Sequence, residues 1–237
     1  MSFDIDTVCS VLQRLQSAIG APPGTEPLRT AALALHFIWG SGHQLNFEDF
    51  LDCFHQSDSQ TSSFDTRAQA ETSLQQPMDP RRAHGMAIAG TRYSVSYSLE
   101  RGARFLVRVP ERAELTMAHQ PPSLLMSEAL AALRQARTQA HSSQDKDAVD
   151  TALLALQFIS ESGQSPLFEN FLGSVDSRDL PRSLCSFGTR QEADTWLSAH
   201  PRPPHGAQVE ISGERYSVGY SRDGGVRALV RVPPLDE

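Results

Sequence analysis

The sequence predicts an α+β fold made by tandem duplication, each copy having three to four helices packed on a C-terminal three-stranded antiparallel meander. Residues 92–110 and 215–233 match at 13 of 19 positions with no gap, from "RYSV" through "LVRVP". The same offset aligns "SFDTRAQAETSL" (63–74) with "SFGTRQEADTWL" (186–197), and an offset shorter by two aligns "TAALALHFI" (30–38) with "TALLALQFI" (151–159) and "FEDFL" with "FENFL". Within each copy, apolar residues first recur at helical spacing and then alternate with period two. The two-residue difference falls in the Ser- and Gln-rich stretch 55–62. The seam lies near "MAHQPPS" (117–123), where a proline pair interrupts any helix. The expected divisions are 1–116 and 120–237, each a helix-plus-meander repeat.

The elements follow in order. Val8, Val11, Leu12 and Leu15 in the first copy, and Leu125, Ala129, Leu130 and Leu133 in the second, mark one face of an opening helix. "TAALALHFIW" is apolar nearly all round, so it is expected to be the central helix, ended by a left-handed cap at Gly42 and by Gly163 in the second copy. Phe47, Phe50, Leu51 and Phe54 line one side of a third helix that Asn46 could cap. Pro166 suits the same helix start in the second copy. Glu48, Asp49 and Glu169 are placed on its outer side. Thr66 with Gln69, and Thr189 with Glu192, form the S/T-x-x-E/Q capping box of a fourth helix. Proline clusters (Pro77 and Pro80; Pro201, Pro203 and Pro204) stop that helix. The meander follows, with turns at "AG" (89–90) and "SG" (212–213), and then at "ERG" (100–102) and "RDGG" (222–225).

Alternation places Met86, Ile88, Tyr93, Val95, Tyr97, Phe105, Val107 and Val109 on the packed face. Arg92, Ser94, Ser96, Ser98, Arg104 and Arg108 then fall on the other. The arginines recur as Arg215, Arg227 and Arg231. A guanidinium fork suits carboxylate recognition and interface anchoring, so Arg92, Arg104, Arg108, Arg215, Arg227 and Arg231 are the candidate partner-binding residues. A solvated sheet face with cross-strand pairs to Glu100, Glu210 or Asp223 is the competing reading, and an anion or nucleotide site a third.

Composition narrows the function classes. The 237-residue chain is 39% hydrophobic and carries a formal charge of -7, with 21 Lys+Arg against 28 Asp+Glu and no basic stripe, which disfavours a nucleic-acid partner. No apolar run reaches the ~18 residues of a membrane span, and the opening "MSFDIDTVCSVLQRL" is unlike a signal peptide, so the expectation is a cytoplasmic protein. Cys9, Cys53 and Cys185 form neither a disulfide framework nor a zinc spacing. "DCFH" sets Cys53 beside His55, with His36 and His43 nearby, but their counterparts in the second copy keep no such set. His200 and His205 are read as part of a local turn in "HPRPPHG". With no Gly-rich phosphate loop, GxSxG or HExxH, no catalytic residue, metal or cofactor is assigned.

The stretch "FGTRQEADTWLSAHPRPPHGAQVEISGERYSVGYSR" (187–222) resembles small immunity-type proteins of GC-rich bacteria. The likeness runs over about 187–233 and more loosely over 64–110, where Gln69 replaces the Glu and "PMDPRRAHG" departs from "HPRPPHG". The resemblance implies a protein that works by binding another protein. The leading expectation is therefore a non-enzymatic binding module, an immunity protein that neutralises a cognate toxin, with the two copies forming a pseudo-dimer in one chain. A small-molecule sensor or enzyme with its site in the cleft between the repeats is the alternative, and a regulatory scaffold the third.

Overall fold

The computed structural model describes residues 5–19, 27–55, 61–76, 84–98, 102–116, 124–176, 183–200, 203, 206–220 and 227–232. The first copy runs α1 (Ile5–Ile19), α2 (Pro27–Gly40), α3 (Gln44–His55), β1 (Ser62–Phe64), α4 (Arg67–Leu74), β2 (Gly85–Ile88), β3 (Thr91–Ser98) and β4 (Ala103–Arg108). The second repeats that order as α5 (Leu124–Gln139), α6 (Ser143–Glu161), α7 (Ser165–Asp176), β5 (Ser186–Phe187), α8 (Arg190–Ala199), β6 (Gln208–Ile211), β7 (Glu214–Tyr220) and β8 (Arg227–Arg231). This is the predicted α+β architecture, with four helices to a copy. Each meander gains a fourth strand, because β1 pairs parallel with β2 and β5 with β6. Strands of three and two residues are too short to show alternation, so only pairing reveals them.

Local signals behave as their chemistry requires. Thr66 and Thr189 each accept from the N3 amide while Gln69 and Glu192 reach back to the cap amide, completing both capping boxes. Gly42 and Gly163 are left-handed, at φ 76° and 74°. In both copies the amide after that glycine bonds five residues back, His43 to Ile38 and Gln164 to Ile159, at 2.9 Å each, so both second helices end in the same Schellman turn. Asn46 departs from expectation, since α3 begins at Gln44 and Asn46 lies inside its first turn. On α5 the buried face runs through Met126, Ala129, Leu130 and Leu133, and Leu125 is 50% exposed. The "RDGG" turn, most of "ERG", the seam, Glu100, Asp223, His205 and the prolines at 77, 80, 201 and 204 lie outside the described residues.

The contacts form two compact units that cut across the two sequence copies. A helical unit gathers Met1–Phe37 and Pro110–Asp179, and a sheet unit gathers Ile38–Val109 and Leu180–Glu237. In the helical unit α6 packs against α1, α5 and α7. Its interior includes Leu12, Leu35, Leu133, Leu153, Phe158 and Phe168, all below 3% exposure, and Phe37 sets its ring on Phe168 and Phe171 at 5.5 and 5.7 Å.

In the sheet unit each sheet carries one compact apolar layer. Ala70 and Leu74 of α4 cover Met86, Ile88, Val95 and Leu106, and Ala193 and Leu197 of α8 cover Val209, Ile211, Val218 and Leu229. The strand faces correct the sequence reading. Val95 pairs with Leu106, Tyr93 with Arg108 and Tyr97 with Arg104, so Arg104 and Arg108 stand on the tyrosine face. Phe105 and Val107 instead join Arg92, Ser94 and Ser96. The second sheet repeats this, with Val218 opposite Leu229, Tyr216 opposite Arg231 and Tyr220 opposite Arg227. A one-residue change of register moves a whole strand to the other face, and the turn sets that register. The face read as polar and open is also buried, because Ser94, Ser96, Val107 and Ser217 are all at or below 1% exposure.

Candidate functional site

The six arginines of the repeated phrase differ in what they touch. Arg104 donates to the carbonyls of Leu74 and Gln76 at 2.9 and 3.0 Å, and its counterpart Arg227 donates to the carbonyl of His200. Both therefore close the C-terminal end of the helix on their own sheet, where a cation meets the helix dipole and its orphan carbonyls. Arg92 donates to the carbonyl of Cys53 near the end of α3. Arg231 pairs with Glu214 at 3.0 Å on an exposed surface, while half-buried Arg108 stands opposite Tyr93 in the β3–β4 register. Arg215 is half-buried opposite Glu210 in the β6–β7 register. The six do not share one surface, as the register separates Arg92 and Arg215 from the other four.

The densest buried polar group lies where α3 meets the first sheet. Asn46 donates to the Tyr97 carbonyl at 3.0 Å and accepts from the Tyr97 amide at 3.1 Å, pairing with that peptide as a neighbouring strand would. Asp49, placed on the outer side by the sequence reading, is 1% exposed. Cys53 is 5% exposed, and a Cβ added to Gly85 would stand 3.6 Å from its sulfur. Burial pushes the Cys53 thiol up from 9.0 to about 11, with the nearby Ser94 hydroxyl offsetting part of the rise. A thiol held protonated in this way is a poor nucleophile. His55 is exposed on the other side of α3 and packs its ring edge-on to Phe54. The two other histidines of that candidate set have other neighbours: His36 Nε2 lies 3.9 Å from Cys9 Sγ in the helical unit, and His43 lies 3.5 Å from Asn46. His200 stacks on Trp196 and bonds its carbonyl at 2.8 Å, back toward its own helix.

The raised thiol has a checkable consequence. The folded state favours neutral Cys53, so its contribution is complete below pH 9 and is lost as pH climbs to about 11. The unfolding free energy from denaturant titration is expected to fall between pH 9 and 11 by about 2–3 kcal/mol more in the wild type than in Cys53→Ala. At pH 8 a maleimide should modify Cys53 last, since Cys9 and Cys185 are both more exposed.

Sequence reasoning missed a different set. Among the described residues three large apolar side chains are exposed, Leu125 (50%), Leu167 (58%) and Leu184 (59%), and all three lie in the second copy. Aligning the buried faces of α1 and α5 sets Thr7 against Leu125, and the repeat offsets set Asn46 against Leu167 and Thr61 against Leu184. Each exposed leucine thus stands where the first copy has a polar residue. The signal was available by comparing the copies position by position, looking for differences rather than matches.

A cavity in the helical unit, lined by Leu115, Leu130, Arg134 and Gln157 among others, has about 10 Å³ of space, room for about one water. Among the described residues there is no cluster of three or more His, Cys, Asp or Glu fit to hold a metal, and no helix long and apolar enough to cross a membrane. Comparison with protein-family models, with curated proteins and with solved structures finds no match.

Proposed function

We propose that this chain is a non-enzymatic protein-binding module that neutralises a cognate toxin by capture, through apolar side chains that the second copy exposes in each compact unit. One observation carries the reading: Leu125, Leu167 and Leu184 are exposed where the first copy keeps Thr7, Asn46 and Thr61. Exposed apolar side chains cost solubility, and burial against a partner recovers about 1.5–3 kcal/mol for each fully covered leucine. The net charge of -7 favours a basic partner through steering.

The experiment measures binding of the purified chain to the protein encoded beside it. Leu125→Glu, Leu167→Glu and Leu184→Glu together should weaken that binding at least tenfold, about 1.4 kcal/mol, and abolish protection of cells expressing the toxin. Thr7→Glu with Thr61→Glu, the mirrored change in the first copy, should leave binding intact. No binding at micromolar concentration, or a triple variant that binds like wild type, overturns the proposal.

A further inference from the structure

Within the sheet unit, the second copy's sheet rests on a corner of the first copy. The buried Ser217 hydroxyl on β7 donates to the Trp39 carbonyl at 2.5 Å, across 178 residues of sequence. Gly206 is left-handed at φ 68°, and a Cβ there would stand 2.8 Å from the Ser41 carbonyl oxygen. A Cβ on Gly40 would stand 3.4 Å from Gln208 Nε2, and one on Gly219 would stand 3.9 Å from the Gly42 carbonyl. The 39–42 turn therefore fits closely against β6, β7 and the chain just before them. The helical unit independently joins the copies, in its core through the Phe37 ring against Phe168 and Phe171, and on its surface through an ion pair between Arg14 and Asp145.

We infer that the corner Trp39–Gly42 is a docking surface whose partner is the sheet of a second copy of the same repeat, so that the chain is an obligate dimer of repeats carried on one tether. Without the corner, the Ser217 hydroxyl at 0% exposure would lose its acceptor, and the β6–β7 face bearing Gly219 would lose its cover. Parting the copies would open the side chains packed around Gly219 and the Trp39 corner to water, which disfavours the separated halves. Two independent domains joined by a linker would keep such contacts within each copy. Here the observed contacts run between the copies in both compact units.

The test inserts a protease recognition sequence at the seam, residues 117–123, of the full chain and cleaves it. The halves are expected to elute together at the size of the intact 26.0 kDa protein and to unfold in one transition whose midpoint now depends on concentration. Halves that separate as two folded species overturn the inference. The two tryptophans supply a second readout on the uncut chain, since Trp39 sits in the corner and Trp196 packs beside the second sheet. In single-tryptophan variants, Trp39→Phe and Trp196→Phe, both reporters should melt together, and Ser217→Ala should lower both midpoints equally. A Ser217→Ala shift seen by Trp196 but not by Trp39 overturns it.

Discussion

Gly206→Ala is expected to destabilise the protein by about 2–4 kcal/mol, the largest effect of a single methyl group anywhere in the described chain. Two costs add at this position. A φ of 68° places the residue in the left-handed region, which costs an alanine roughly 1–2 kcal/mol. The new Cβ would also stand 2.8, 2.9 and 3.0 Å from the carbonyl oxygen, carbonyl carbon and Cα of Ser41. Main chain held by a Schellman turn yields less than a side-chain tip, so overpacking adds roughly 1–3 kcal/mol. Gly213→Ala supplies the control, because it is equally left-handed at φ 86° with nothing within 4 Å of the added carbon. Urea denaturation of both variants separates backbone strain from collision. Equal losses in the two would show that the 39–42 corner is not in contact with Gly206.

The second large effect is expected from Asn46→Leu, which installs the residue that the second copy carries at 167. Asn46 is 7% exposed, and its amide satisfies both polar groups of the Tyr97 peptide on the stretch of β3 beyond the end of β2. Leucine fills similar volume but leaves that peptide without either bond, for a loss of about 2–3 kcal/mol. Hydrogen exchange at the Tyr97 amide should quicken with it. The reciprocal Leu167→Asn should change stability by less than about 0.5 kcal/mol, since position 167 is 58% exposed. A neutral Asn46→Leu would mean that solvent replaces the lost bonds and that α3 docks through its phenylalanines alone.

These two residues also show where sequence reasoning reached and where it stopped. The capping threonines, the Schellman glycines and the helical and strand segments were legible because each depends on residues within about four positions of itself. Asn46 was misread as a cap because its sequence neighbourhood suits one, while its actual partner is 51 residues away. Asp49 was assigned to solvent because acids near a helix start need no other reason to be there. Nothing in "FEDFLDCF" says that a sheet covers that side. The arginines of the repeated phrase were legible as a set but not as roles. Arg104 and Arg227 became helix-end clamps only once the β3–β4 and β7–β8 registers put them on the faces that α4 and α8 cover. The exposed leucines were overlooked because the repeat was read for what the copies share.

From its residues alone this chain declares a duplicated α+β protein with three to four helices to a copy and a repeated strand phrase, since those features arise from short-range periodicity and capping. Only the tertiary structure decided that both faces of the first sheet are buried, that Arg104 and Arg108 lie on the side opposite Arg92 and the serines of the same phrase, and that the compact units draw on both copies. The physical reason is that strand register is set by turn geometry, where one residue reverses every side chain. A duplicated sequence, moreover, offers each surface two nearly equivalent partners. Which of them it takes depends on close contacts such as Gly206 on Ser41, which no local pattern encodes.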